Sequence, residues 1–298
     1  MAYLGYKSKA FMEYKREQER VKIWQIKQKA EKARKRKRLR QWKNLYSATL
    51  AHVVIAIMLI ALYSLVFVTS SKADVNPNLW PYIQERMFND VNAKEVDFIN
   101  INGPKRAASG AQVPITIKLV ETDGVYIEKI YLIIDANPTQ HAATYILTDK
   151  TQNLNLLTRI RMETDSYVRA VGQDSSGNLY MSKVAIRASG GCSGYMDVNN
   201  PGLIKDVGKV LVKYKDNFIT VRVKHPNFTG LQKDQESGGY IPKWIVEDIY
   251  FNINKERILG IKNDISMSQN PYVKFKYIIK DKDNIKVTVI DSKNNQLN

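Results

Sequence analysis

The sequence reads as a mainly β protein: two β-sandwich domains preceded by one long, basic N-terminal helix that runs into a membrane-spanning segment. Three observations carry that reading. No Gly or Pro occurs from Tyr6 to Asn76, so nothing breaks a helix there. Beyond residue 125, apolar residues recur at every second position, the period of half-buried strands. Those strands do not alternate with helical stretches, which argues against a doubly wound fold.

The helical part comes first. Residues 1–46 carry 16 Lys+Arg against 4 Glu, so they hold +12 of the chain's net +17. They are expected to form a cytoplasmic arm. Its densest run offers Lys32, Arg34, Lys35, Arg36, Lys37, Arg38 and Arg40 to anionic lipid headgroups, at about 1 kcal/mol per basic residue. Such a run also occurs in nucleic-acid binders. Its place just before an apolar stretch makes inner-membrane lipid the better partner, and no nucleic-acid ligand is expected. Between Lys43 and Lys72 lie 28 residues without Asp, Glu, Lys or Arg. About 20 apolar residues span a bilayer, so residues 47–70 are expected to cross it. The basic excess before them places the N-terminus in the cytoplasm. The Lys- and Asn-rich composition suggests a bacterium. The expected location is therefore the inner membrane, single-pass, with the C-terminal domains in the periplasm. A cleaved signal peptide is the competing reading, with Ser71-Lys72-Ala73 as the cleavage site. Signal peptides have apolar cores of about 7–15 residues. The longer core and the basic leader of more than 40 residues favour an uncleaved anchor.

The β part follows. Residues 76–92 predict a short capping helix. Ile127–Asp135 is a dense Ile/Tyr/Leu strand. Arg169–Gln173 and Leu179–Arg187 flank Asp174-Ser175-Ser176-Gly177, the pattern of a hairpin. Val210, Val212 and Tyr214 alternate with lysines. Ile219, Val221 and Val223 alternate with polar residues, as do Val273, Phe275 and Tyr277. Asn284–Asp291 is a final strand. Alternation of this kind fits antiparallel sheets with one buried face. Asn199-Asn200-Pro201-Gly202 is a turn signal. The boundaries are residues 76–195 for the first sandwich, 196–208 for a linker and 209–298 for the second.

Cys192 is the single cysteine in the chain and lies in Gly190-Gly191-Cys192-Ser193-Gly194. It has no internal disulfide partner. Small residues on both sides predict a thiol displayed on a flexible loop, since glycine leaves the backbone open to close approach. The alternative is a buried cysteine acting as a small hydrophobe. The thiolate is the reactive form, and Lys183 and Arg187 are near enough in sequence to tune it. His141, in a loop, and His225, at a strand end, are further candidates. Either one could serve as a base to a Cys192 nucleophile, although nothing in the spacing requires it. There is no glycine-rich nucleotide loop, no Cys/His metal cluster and no serine elbow. Neither a metal nor a cofactor is expected beyond a covalent adduct on Cys192.

The cysteine arm resembles that of SoxY, the sulfur-compound carrier family of thiosulfate oxidation, which holds substrate on a cysteine in a Gly-Gly-Cys-Gly-Gly arm. Ala107–Ile115, Ile134–Pro138, and the run from Arg159-Ile160-Arg161 through Val168–Val171 are similar to SoxY stretches. His225-Pro226-Asn227-Phe228-Thr229-Gly230 and Ile265–Pro271 are similar to SoxZ. The fusion is most similar to the SoxYZ-like carriers associated with quinoprotein dehydrogenases. The resemblance implies two immunoglobulin-like β-sandwiches, a periplasmic carrier role for Cys192 and no enzyme activity. It also implies a link to pyrroloquinoline-quinone (PQQ) dependent alcohol or methanol dehydrogenases and their cytochromes. Two departures stand out: the arm continues into the second domain instead of ending the chain, and Ser193 replaces a glycine. The competing reading is a non-catalytic subunit of a membrane oxidase, monooxygenase or dehydrogenase complex, favoured by the long helix.

Overall fold

The computed structural model describes residues 3–66, 75–280 and 282–298. The chain divides into two units, residues 1–71 and 72–298.

The first unit is one helix, α1 (Tyr3–Val66), as the lack of breakers predicts. Its described side chains are exposed, and Glu31 pairs with Lys35 one turn on, at 3.4 Å. Among the described residues no helix is long and apolar enough to cross a membrane. Of the span expected at 47–70, residues 47–66 belong to α1 but only 53–59 have described side chains, and residues 67–70 lie outside the described residues.

The second unit opens with α2 (Leu79–Phe88), followed by β1 (Ala93–Glu95), β2 (Ile99–Asn102), β3 (Val113–Leu119), β4 (Ile127–Ile134), β5 (His141–Ile146), β6 (Asn155–Ile160), β7 (Ser166–Asp174) and β8 (Leu179–Ile186). The cysteine arm leads into β9 (Gly194–Met196), one turn of helix α3 (Pro201–Ile204), β10 (Val210–Lys215), β11 (Phe218–Val223) and β12 (Gln232–Asp234). Last come β13 (Val246–Ile253), β14 (Glu256–Asn263), β15 (Tyr272–Lys276), β16 (Ile285–Asp291) and β17 (Gln296–Leu297).

The two expected sandwiches share their sheets. A nine-stranded sheet runs β1-β8-β7-β4-β5-β14-β13-β16-β17, and a six-stranded sheet runs β10-β11-β15-β6-β3-β2. Each sheet takes strands from both halves of the sequence. The seams are the antiparallel pairs β5–β14, with Tyr145 opposite Ile261, and β6–β15, with Leu156 opposite Phe275. One apolar core fills the space between the sheets and draws on both halves: Ile115, Ile117, Leu132 and Tyr145 meet Val221, Phe251, Leu259 and Phe275. Phe251 and Phe275 pack edge to face across it at 4.9 Å, a geometry that adds to simple burial. Burying the seam side chains in a shared core favours continuous sheets over two separate ones, because it leaves fewer open strand edges.

The predicted alternation holds in β11 and β15, where Ile219, Val221, Val223, Val273 and Phe275 point inward. It does not hold in β10. Val212 and Tyr214 are each 40% exposed, because β10 is an edge strand. The predicted hairpin is β7–β8, with Gln173 opposite Leu179. The helix α2 covers the outer face of the nine-stranded sheet, burying Ile83 and Phe88 against Ile133, Val171, Leu179 and Met181. Beside it Arg169 donates Nε and a terminal nitrogen to Asp135 at 2.7–2.9 Å, and its guanidinium lies 4.4 Å over the Trp80 ring.

Candidate functional site

The expected exposed thiol is buried: Cys192 has 0% exposure. The cause is how its neighbours are held. Glu163, three residues past the end of β6, accepts the amide of Cys192 at 2.7 Å and that of Ser193 at 3.1 Å, and Ser193 Oγ donates to its other oxygen. Gly190 and Gly191 donate their amides to the carbonyls of Glu163 and Met162 at 2.9 and 3.0 Å. From the second half of the chain, Thr229 Oγ1 donates to the Cys192 carbonyl at 2.8 Å. The arm is thus fastened on both sides.

Its glycines meet two different demands. Gly191 passes so close to Gly110 that a Cβ there would lie 2.2 Å from the Gly110 carbonyl oxygen. Gly190 and Gly194 instead have φ of +64° and +119° with open space around them. They flank Cys192 two residues away on each side, in conformations that side-chain-bearing residues rarely adopt. Beyond Gly194 the arm continues as β9, which pairs in parallel with β12, Gly194 opposite Gln232.

The cradle beneath the arm is a polar network from both halves. Asn137 accepts the Glu163 amide at 2.9 Å and donates to the Arg161 carbonyl and to Ser266 Oγ at 2.8 and 2.9 Å. Arg161 is 2% exposed and forms no ion pair among the described residues. Its guanidinium donates to the Asn227 carbonyl at 2.6 Å and the Pro226 carbonyl at 3.4 Å, and its Nε has no partner. Burial lowers its pKa to about 10, and the Cys192 sulfur is the one group whose charge opposes that fall.

The electrostatics of the thiol follow. Burial first, then the adjacent Glu163 carboxylate, push Cys192 up to about 12, against the pull of Arg161. Burial also works against the Glu163 carboxylate, but the hydrogen bonds from Ser193 and the two amides outweigh it and hold its pKa below the usual range. At neutral pH the thiol is therefore protonated and unreactive in this closed arrangement. A polar cleft of about 450 Å³ adjoins the arm, lined by Arg106, Ser109, Gly110, Asp165, Arg187 and Ser189 among others.

The residues expected to tune the thiol are engaged with other groups. Lys183 pairs with Glu95 on the outer face of the nine-stranded sheet. Arg187 pairs with Asp165 at 3.5 Å. His141 is not in a loop but begins β5, with Nε2 2.8 Å from Thr144 Oγ1 and Nδ1 3.7 Å from Asp264. His225 is fully buried; its Nδ1 accepts the Asn227 amide at 3.1 Å, and its ring meets Trp244 edge to face at 4.7 Å. Burial lowers its pKa to about 4, so it stays neutral at pH 7. None of the four exerts a resolved effect on the Cys192 thiol, whose charged neighbours are Glu163 and Arg161. The residues expected to contact lipid, Lys32, Arg34, Lys35, Arg36, Lys37, Arg38 and Arg40, are exposed on α1. Among the described residues no group of His, Cys, Asp and Glu could hold a metal ion.

Residues 84–192 match the family model of the sulfur oxidation protein SoxY, which ends at Cys192, and residues 209–298 match that of the sulphur oxidation protein SoxZ. No curated protein matches the chain. Among solved structures it is similar to the sulfur carrier protein SoxY from Chlorobium limicola f thiosulfatophilum, at 21% identity over 37% of this chain and 92% of that one, TM-score 0.33. It is also similar to two variants of a superoxide reductase (neelaredoxin) from Ignicoccus hospitalis. These are 8% and 10% identical over 31% and 37% of this chain and 82% and 92% of theirs, with TM-scores of 0.26 and 0.27.

Proposed function

Since this chain is a fusion of a SoxY-family domain with a SoxZ-family domain, we propose that it is a sulfur carrier that holds a small group covalently on Cys192 and presents it to partner enzymes. The observation that carries the reading is the fastening of the arm. Glu163 and Thr229 hold the cysteine shut, while left-handed glycines stand on either side of it as hinge points. A thiol needed only for packing requires no such hinges. Arg161 supports the same reading. A buried cation without an ion pair is costly, and it becomes useful when an anionic sulfur group forms on Cys192.

The carrier is periplasmic in this reading. Residues 47–70 anchor it in the inner membrane with the arm in the cytoplasm, and Lys32–Arg40 rest on lipid headgroups. Anchoring raises its effective concentration near membrane-bound partners. A PQQ-dependent dehydrogenase or its cytochrome is the partner we favour. Arm opening must precede loading, because the closed thiol is both inaccessible and protonated.

Intact-mass spectrometry of natively extracted, unreduced protein tests this. The expected result is a reducible adduct on Cys192. A bare thiol in repeated gentle preparations, together with stable co-purification of partners unaffected by Cys192→Ser, would instead favour the membrane-complex subunit. Retention of residues 1–73 in the same spectrum tests the anchor.

A further inference from the structure

The two sheets differ in charge. The strands of the nine-stranded sheet contain seven Lys or Arg and seven Asp or Glu. The strands of the six-stranded sheet contain seven Lys or Arg and no carboxylate: two on β10, one on β11, two on β15, one on β6 and one on β3. All seven occupy the outward positions of the alternation, and none is buried. Five lie on three adjacent strands: Lys213, Lys215, Arg222, Lys274 and Lys276.

Three of these cations rest on aromatic rings. Arg222 and Arg159 lie over the Tyr272 ring at 5.4 and 5.0 Å, and Lys274 lies over Phe218 at 4.4 Å. Such contacts are worth about 0.5–1 kcal/mol at exposed sites. Between Lys213, Lys215, Arg222 and Lys274 runs a groove of about 260 Å³, with Asp216 at its end the single carboxylate lining it. Like charges gathered on one sheet face repel. The other sheet, with the same number of cations, carries as many anions.

We propose that the outer face of the six-stranded sheet docks the acidic surface of a partner protein. The charge calls for an anionic occupant. The remaining features select protein over membrane. Arginine beside tyrosine is the composition of protein–protein hot spots, and the cations are fixed on a pleated sheet whose grooves suit Asp and Glu side chains. Lipid headgroups attract basic residues by charge alone and make no use of arginine set over a tyrosine ring beside a groove. The face also adjoins the cradle. Arg159 is on it, one residue before the end of β6, and the chain runs on from there to Arg161 and Glu163. A protein seated there would lie beside the cysteine arm. The inference stands on charge and geometry alone and does not require the carrier reading.

The test uses the full chain with Lys32→Gln, Arg34→Gln, Lys35→Gln, Arg36→Gln, Lys37→Gln, Arg38→Gln and Arg40→Gln, which together remove the densest basic run of α1 as a competitor, and the footprint separates any remaining binding on α1 from binding on the sheet. The probe is a labelled poly-glutamate peptide, with binding read by anisotropy and its footprint by hydrogen exchange. We expect protection on β10, β11 and β15 that weakens as salt rises. Arg222→Glu with Lys274→Glu should weaken binding about tenfold or more. Lys213→Glu with Lys215→Glu, on the exposed edge strand where folding is not at stake, should do likewise. Lys129→Glu with Lys262→Glu on the other sheet should leave binding unchanged. Equal binding by the six-stranded-sheet variants, a footprint elsewhere, or protection by phosphatidylglycerol vesicles but not by the peptide would each overturn the proposal.

Discussion

Two buried arginines in this protein live under opposite terms. Arg169 is matched: Asp135 takes three hydrogen bonds from it at 2.7–2.9 Å, and Trp80 of α2 covers its guanidinium. Arg161 is as deeply buried but has only carbonyl oxygens around it and an idle Nε. Its electrostatic counterpart is a sulfur atom that is neutral at pH 7. A matched pair ties one element to another and has nothing left to offer a ligand. An unmatched cation keeps its capacity for an anion. The difference separates the part of the molecule that holds α2 to the sheet from the part that handles Cys192.

The largest effect expected from breaking this contrast is in stability. Arg169→Met leaves Asp135 buried without its counter-ion and should cost about 3–5 kcal/mol, read as a lower midpoint in urea. The same change at Arg161 removes an unpaired charge along with two hydrogen bonds to carbonyls. These effects oppose each other, so Arg161→Met should cost about 1 kcal/mol or less. In Cys192 chemistry the order should invert: alkylation of the thiol at alkaline pH slows in Arg161→Met and is unchanged in Arg169→Met. Equal stability losses at the two positions would erase the distinction.

Acid sharpens it next. His225 joins the Arg161 shell through Asn227, whose amide it accepts and whose carbonyl Arg161 binds. Burial lowers its pKa from 6.5 to about 4. A depressed native pKa gives stability that is complete above pH 6.5 and lost as pH falls to about 4. The loss should be on the order of 3 kcal/mol. His225→Phe, which keeps a ring against Trp244, should flatten that part of the stability curve. A slope unchanged in His225→Phe would place the acid sensitivity elsewhere.

Much of the fold could be read from the sequence, and the reason is local. The hairpin β7–β8, the alternating strands β11 and β15 and the helix α2 are fixed by residues close together in the chain. The seams β5–β14 and β6–β15 are not, because their registers pair residues more than a hundred positions apart. The cradle shows the same limit. Gly110, Asn137, Arg161, Thr229 and Ser266 lie in separate stretches that each resemble a carrier family, yet nothing in any one stretch says that they meet. Glu163 lies in the same stretch as Arg161, and nothing in that stretch marks it as the residue that fastens the arm. The glycines around Cys192 were visible, but glycine marks both a hinge and a close approach, and only coordinates separate Gly191 from Gly190 and Gly194. From sequence alone a glycine that permits a close approach is indistinguishable from one that leaves the backbone open, which is why the buried thiol reads as displayed.

The smallest stability effect, and the most telling chemical one, belongs to the latch. Glu163→Gln keeps an acceptor for the Cys192 and Ser193 amides but removes the charge, so stability should fall by about 1 kcal/mol or less. The Cys192 pKa, raised by burial and then by Glu163, should come down. The native thiol otherwise contributes stability below pH 9 that disappears as pH rises toward 12, and in Glu163→Gln that loss should still begin near pH 9 but be smaller and finish at lower pH. Alkylation of Cys192 at pH 8 should speed up several-fold through both a weaker latch and more thiolate. Ser193→Ala loosens the latch but leaves the Glu163 charge in place, so it should speed alkylation with little change in the thiol pKa. If both variants react at the parent rate, Glu163 is a structural bridge and the arm opens by some other route; if only Glu163→Gln reacts faster, charge and not fastening governs the thiol.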